Sequence, residues 1–474
     1  MTEGAAFFDL DRTLLSGASG PVLTDAMRAA GLVSRSIPGE RFMYGVFNAI
    51  GETLPGMALA RQAATLARGR SRAAVQAAAE AAAAVLIDMI QPFAAKLFAE
   101  HRDAGRPLVL ATTTPYDLVK PLADALGFDD VVATRYGVND DGIYTGALDG
   151  NFVWAAGKLA AVRQWARDHA VDLAESWFYS DSVYDTPLLS AVGHPVVVNP
   201  DPRLVLMAIV RRWPIVHLDV PPGVPKLPLV GLEPQQIVLA FARPELIPFA
   251  KFDVSGTKHI PSSGPAILCG NHRSYFDPCA VGVALAKAGR TARFLGKKEV
   301  FDAPVVGQFA RAFGGIRVER GTGSDDPLKE AAAALEAGQV VAIMPQGTIP
   351  RGPAFFDPIL KGRWGAARLA QLTEAPVIPL GLWGTEKVWP RSSRLPDLTT
   401  VLHPPSVQVR VGPPVELKHR SLARDTERIM DAIVELLPPE ARTPHEPTPE
   451  ELAKTYPSGR APEPPASDGD ATPG

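Results

Sequence analysis

Short, nearly uninterrupted apolar runs alternate with longer helical stretches along the whole chain. In the first half these runs fall at residues 5–10, 107–112, 176–179 and 195–198. A run that stays apolar without alternating suits a strand covered on both faces, as in a parallel sheet. Residues 17–104 between the first two runs are alanine-rich and read as helical, with Gly105 closing the stretch. Residues 117–126 form a further helix, residues 131–148 a hairpin turning at Asn139-Asp140-Asp141-Gly142, and residues 157–168 an amphipathic helix. The second half repeats the pattern, with strand-like runs at 265–270, 291–296, 340–344 and 376–381 and helices at 277–287, 326–338 and 362–374. Asp277 reads as the N-cap of its helix and Pro278 as the first helical residue.

Residues 206–252 interrupt this order. They are rich in proline and apolar side chains, with Arg211, Arg212, Lys226, Arg243 and Lys251 spread among them. They read as a linker leading into a short segment that either lies on acidic lipid headgroups or packs as a helix on the next domain. Residues 438–474 are rich in proline, alanine and acids without apolar periodicity, and read as a disordered tail.

A length of 474 residues implies two to three domains. Hydrophobic content of 46% with 21% charged residues is that of a globular protein. The formal net charge of −3 excludes general nucleic-acid binding, which needs a strongly basic face. Cys269 and Cys279 are the two cysteines, so neither a disulfide framework nor a thiolate metal site is expected. The start lacks the basic and apolar regions of a signal peptide. No uncharged apolar run approaches the roughly 18 residues of a spanning helix. The expected compartment is the cytoplasm.

Candidate chemistry collects at strand ends. The first run delivers Asp9, Asp11 and Thr13, the second ends in Thr112, and the third ends in Asp181 and Asp185; Lys158 opens a helix between them. Ligand sites in open α/β sheets lie beyond the carboxyl ends of strands. Asp-x-Asp alone is common in solvated turns, and a helix-start lysine is by default a surface charge. Four acids with a hydroxyl and a lysine in this order instead suit Mg²⁺ and a phosphoryl group. Phe7-Phe8-Asp9-Leu10-Asp11-Arg12-Thr13, Leu110-Ala111-Thr112, Lys158 and Tyr179-Ser180-Asp181-Ser182-Val183-Tyr184-Asp185 resemble the four ordered motifs of the haloacid dehalogenase-like phosphatases, in their phosphoserine phosphatase-like branch. The resemblance implies a Rossmann-like domain over residues 1–205 with a helical cap at about 17–104. It also implies Asp9 as nucleophile, Asp11 as general acid and base, Thr112 and Lys158 on the phosphoryl oxygens, and a Mg²⁺ site drawn from Asp9, Asp11, Asp181 and Asp185.

In the second half, Asn271-His272-Arg273-Ser274-Tyr275-Phe276-Asp277 places one imidazole a short reach from one carboxylate where a strand ends. An oriented imidazole can take a proton from a hydroxyl. Taken alone, the pair reads as a helix cap and a loop histidine. Three later blocks change that: residues 315–320 ending in Arg320, Pro345-Gln346-Gly347-Thr348, and Val377-Ile378-Pro379. Their order is similar to the 1-acylglycerol-3-phosphate acyltransferase family over residues 253–437. That likeness implies an α/β glycerolipid acyltransferase domain with His272 as base, Asp277 orienting it, and an acceptor phosphate site at Arg320, Gln346, Gly347 and Thr348. One departure stands out. The family's third block has glutamate before Gly-Thr and arginine directly after; here the positions hold Gln346 and Ile349, and the nearest arginine is Arg351.

Together the resemblances imply a bifunctional enzyme of phospholipid biosynthesis. It would acylate lysophosphatidate from acyl-CoA or acyl carrier protein and hydrolyse a phosphomonoester with Mg²⁺, held peripherally at the inner face of the cell membrane. The alternative is a small-molecule phosphatase whose C-terminal domain acylates another lysolipid or only docks to membrane.

Overall fold

The computed structural model describes residues 4–33, 52–221, 231–241, 247–297, 314–318 and 326–457, with 224, 226–227, 301–302, 307 and 310 besides. The chain divides into two compact units, Met1–Pro222 with Lys226–Gly231, and Gly223–Pro225 with Leu232–Gly474.

The first unit is built around β1 (Ala6–Phe8), whose three side chains are wholly buried. It pairs in parallel with β2 (Leu108–Pro115) on one side and β6 (Trp177–Ser180) on the other. Successive residues of a strand face opposite sides of the sheet, so both faces are covered. Phe8 stacks on Tyr179 at 4.7 Å and meets Phe98 edge-on, while Phe7 meets Trp165 edge-on from the other face. β3 (Asp130–Thr134), β7 (His194–Val198) and β8 (Ile215–Val216) complete a parallel sheet of order β3-β2-β1-β6-β7-β8. β4 (Tyr136–Val138) and β5 (Tyr144–Leu148) form a hairpin with Gly142 at φ 75° in its turn, shorter than the one expected over 131–148 because residues 131–134 belong to β3.

Two further boundaries of this unit differ from the sequence reading. The helix Ala94–Asp103 was expected in the cap, yet it sets Ala94, Phe98 and His101 against the sheet and belongs to the core layer. The helices Gly20–Ala29, Leu54–Ala67 and Arg72–Ile87 make up the rest of the inserted stretch. The domain does not end at 205. β8 extends the sheet, and Leu218, whose carbonyl takes the amide of Phe93, is buried in the same core. A two-residue strand inside a proline-rich run leaves no periodic trace.

The second unit holds β9 (Lys251–Ser255), β10 (Ala266–Gly270), β11 (Ala292–Lys297), β12 (Ile316–Val318), β13 (Val340–Ile343), β14 (Val377–Trp383) and β15 (Ser406–Val411), in the order β12-β11-β13-β10-β14-β15-β9. All neighbours are parallel except β14 and β15. Leu268 faces the layer containing the helix Asp277–Lys287; Ile267 and Cys269 face the helices Asp326–Glu336, Gly365–Thr373 and Leu422–Glu435.

Here too the expected limits move. The stretch taken as linker already belongs to this unit from Glu233, which makes a two-pronged ion pair with Arg293 at 2.5 and 2.8 Å, both side chains being buried. Arg243 lies outside the described residues. The helix expected to be capped by Asp277 is capped by Phe276, with Asp277 its first residue. Within the expected tail, residues 438–457 are structured: Thr448 and Glu451 form a capping box on the helix Pro449–Lys454, and Thr455 accepts the amide of Gly352 at 2.8 Å. A six-residue helix is too short to show periodicity, but Thr448-Pro449-Glu450-Glu451 carried the box in plain view. Residues 458–474 of that expected tail lie outside the described residues. Among the described residues no helix is long and apolar enough to cross a membrane.

Candidate active sites

In the first unit, Asp9 leaves the carboxyl end of β1 and its amide bonds to Tyr179 O of β6, so the nucleophile candidate stands in the crevice where the chain crosses from one side of β1 to the other. Lys158, fully buried, bridges two acids: its Nζ lies 2.8 Å from Asp9 Oδ1 and 2.7 Å from Asp185 Oδ2. Thr13 Oγ1 lies 3.3 Å from Asp9 Oδ2 and 3.2 Å from Asp181 Oδ1, and accepts the amide of Asp181. Arg12, held at φ 61°, sets its Nε 3.4 Å from Asp181 Oδ2. Ser180 donates to Asp185 Oδ2, while Asp185 Oδ1 is buried without a hydrogen-bond partner among the described residues. Thr112 is buried within β2, its hydroxyl accepting the amide of Thr114.

Asp11 stands apart from this cluster. Its carboxylate accepts the amide of Ser19 and, at 3.1 Å, the hydroxyl of Thr114. The expectation that its side chain joins the metal acids is therefore corrected. Two donors on its far side pin it where it can serve as a proton carrier. The sequence did not single out Ser19 or Thr114 for this, nor Glu52. The Glu52 Oε2 accepts from Ser182 Oγ at 2.6 Å and from Trp154 Nε1 at 3.1 Å. Nothing in local spacing flags a glutamate 130 residues from its partner.

The electrostatics follow from burial. Asp9 is pushed up to about 7 by desolvation, with Lys158 pulling against the rise and Asp185 and Glu52 adding to it. Burial also raises Asp11 against its bonds from Ser19 and Thr114, raises Asp181 well above the carboxylate range despite Arg12, and raises Glu52. Lys158 is opposed by burial, but Asp185, Asp9 and Glu52 outweigh that and hold it cationic. Five carboxyls thus face two cations. The side chains do not converge as a three-acid metal group among the described residues, because Lys158 and Thr13 stand between them. The excess of negative charge and the orphaned Asp185 oxygen fit a hard divalent cation drawn among Asp9, Asp181 and Asp185.

In the second unit, β10 and β13 run side by side in parallel, so the loops after them meet at one edge of the sheet. His272 Nδ1 lies 2.7 Å from Asp277 Oδ2. That oxygen also accepts the amides of Arg273 (2.7 Å) and Ser274 (2.9 Å), and Oδ1 accepts Thr385 Oγ1 at 2.6 Å. Asp277 is wholly buried, and among the described residues these four donors compensate its charge. An ionised carboxylate can only accept, which places the imidazole proton on Nδ1 and leaves the Nε2 lone pair available. Asn271 fixes the loop to β14, exchanging hydrogen bonds of 2.9 and 2.7 Å with the backbone of Leu382. Gln346 Oε1 accepts the amide of His272 at 2.7 Å. The arginine side chain at 273 lies over Phe355 and Trp383, 4.3 and 4.2 Å from their centroids, and pairs with Glu386.

Gly347 (φ 69°) and Thr348 follow on the same edge as His272. Arg320 lies outside the described residues. The placement of Gln346 explains the departure noted in the sequence. The residue holds the backbone of the histidine loop through an oxygen, which an amide and a carboxylate both possess.

Two family models match the chain: haloacid dehalogenase-like hydrolase over residues 6–190 and Acyltransferase over residues 251–383. The "Inhibition of morphological differentiation protein" of Streptomyces azureus is 35% identical over 50% of this chain and 87% of its own length. Phosphoserine phosphatase SerB1 of Mycobacterium tuberculosis is 35% identical over 44% of this chain and 70% of its own. The chloroplastic 1-acyl-sn-glycerol-3-phosphate acyltransferase BAT2 of Brassica napus is 29% identical over 36% of this chain and 49% of its own. The chain belongs to the haloacid dehalogenase-like hydrolases through its first unit and carries an Acyltransferase-family domain in its second.

Proposed function

We propose that this enzyme transfers an acyl group from acyl-CoA or acyl carrier protein to a lysophospholipid, lysophosphatidate first among them, and hydrolyses a phosphomonoester at its other site. The observation that carries the first activity is the His272–Asp277 pair, with Asp277 compensated by four donors and Nε2 left open. In this reading Nε2 takes the proton of the acceptor hydroxyl as its oxygen attacks the thioester carbonyl. The tetrahedral intermediate then expels the thiolate, which regains that proton from the ring. Asp277 offsets the imidazolium charge throughout.

In the phosphatase, the Asp9 carboxylate attacks phosphorus and the leaving alkoxide takes a proton from Asp11. Water then attacks the aspartyl-phosphate, returning its proton to Asp11 and freeing phosphate. The raised affinity of Asp11 for protons supports that role. Lys158 and Thr112 hold phosphoryl oxygens. Mg²⁺ carried by Asp9, Asp181 and Asp185 would supply positive charge against the phosphate dianion. The enzyme works in the cytoplasm at the inner face of the membrane that supplies its lipid.

The similarity of the first unit to a phosphoserine phosphatase favours a second reading of that half alone, in which its substrate is a small phosphomonoester. The test uses the full chain with acyl-CoA, a panel of lysolipids, and Mg²⁺ with phosphatidate or small phosphate esters. His272→Ala is expected to lose acyl transfer and keep phosphate release; Asp9→Asn does the reverse, by several orders of magnitude in each case. Acyl transfer surviving in His272→Ala would remove the assigned base.

A further inference from the structure

The segment that follows Gln346 exposes side chains that a protein facing only water has little reason to expose. Ile359 is 71% exposed and Trp364 60% exposed, and Tyr275 in the histidine loop is 44% exposed. Arg351, Lys361 and Arg363 lie exposed along the same segment, and none of them forms an ion pair among the described residues. The nearby acid, Asp357, is engaged with the amide of Ile359.

This segment is tied to the catalytic loop. The amide of Arg363 bonds to Pro345 O at 2.8 Å, and the next residue, Gln346, holds the amide of His272. Phe355, at the start of the segment, lies under the guanidinium of Arg273. The apolar tips, the cations and the imidazole therefore share the edge of the sheet where β10 and β13 end.

We propose that residues 351–364, with Tyr275, are the surface by which the acyltransferase domain lies on an anionic lipid bilayer. Ile359 and Trp364 enter the headgroup region, and Arg351, Lys361 and Arg363 meet lipid phosphates. Tryptophan suits that depth because its ring is apolar and its N–H is not. Long basic side chains reach from an apolar surface to phosphate level. Charge complementarity selects the occupant: three unpaired cations around two apolar tips match a negatively charged surface, and such a surface holds the acceptor that the site consumes. The proposal rests on the acyl-transfer reading above.

The experiment sediments the full chain with vesicles of phosphatidylcholine alone and of equal parts phosphatidylcholine and phosphatidylglycerol. Wild type is expected to bind the anionic vesicles and not the neutral ones. Each basic residue near such a surface contributes roughly fivefold in binding. Lys361→Glu with Arg363→Glu should therefore weaken binding by well over an order of magnitude, as should Ile359→Ala with Trp364→Ala. Unchanged circular dichroism melting and retained transfer to a monomeric short-chain acceptor show that the second unit of the variants is folded. Both variants should still acylate a monomeric short-chain acceptor while losing transfer to acceptor in vesicles. Wild-type binding by both variants overturns the proposal. So does wild-type self-association without lipid that the variants abolish, which would make the patch an interface between copies. If wild type acylates neither form of acceptor, the functional reading fails, and sedimentation still decides the docking surface on its own.

Discussion

One side-chain oxygen, on Gln346, decides where the backbone of His272 sits. Because the contact is amide N–H to carbonyl oxygen, Gln346→Glu keeps the acceptor and should hold acyl transfer within a few-fold of wild type. Gln346→Leu leaves the His272 amide unmet, at a cost of about 1–3 kcal/mol, and kcat should fall by about one to two orders of magnitude. Steady-state kinetics of the two variants checks this, and equal losses in both would exclude a positioning role. At this scale the sequence was informative wherever a residue type is rare for its place: Asp9 and His272 follow buried strands, and Lys158 and Asp277 stand in the first turns of helices. It was silent wherever a role depends on a distant partner. Thr114 reaches Asp11 across 103 residues, and Glu52 reaches Ser182 across 130. Neither residue is unusual among its own neighbours.

Among the elements, the helix Ala94–Asp103 shows what packing adds to pattern. His101 on its inner face is buried between the rings of Phe8 and Trp177, with Nε2 2.7 Å from Tyr179 Oη. Arg106 donates to Nδ1, so Nε2 carries the proton of a neutral ring. Burial and then Arg106 lower its affinity for a second proton, from 6.5 to about 4. The sign follows: below about 6.5 the unfolded chain binds a proton that the folded chain refuses. Stability is thus complete above that pH and drains away as pH falls towards about 4, by ~3 kcal/mol in all. Denaturant midpoints across that range should show the slope in wild type and lose that share of it in His101→Gln. The buried parallel strands were legible because both of their faces are apolar. β8 and the helix Pro449–Lys454 were not, being two and six residues long.

Among the described residues each unit holds one large sheet with apolar layers on both faces, and one candidate site. Two separate cores need not melt together. Glu233→Ala leaves Arg293 charged and buried without its carboxylate, a loss of about 3–5 kcal/mol confined to the second unit. Heating one sample while assaying both reactions should show acyl transfer lost at a lower temperature than in wild type, with phosphate release unmoved. A common shift of both would mean that the two units unfold as one.

The contacts of Thr455 and Tyr456 have a practical bearing. Thr455 takes the amide of Gly352, and the hydroxyl of Tyr456 lies 2.7 Å from where a methyl group on Gly352 would sit. The wall beside the histidine loop is thus completed by a residue 103 positions further along the chain. Trimming the protein back to its last long helix, a natural choice for anyone wanting a tidier crystal, would leave that wall without its buttress.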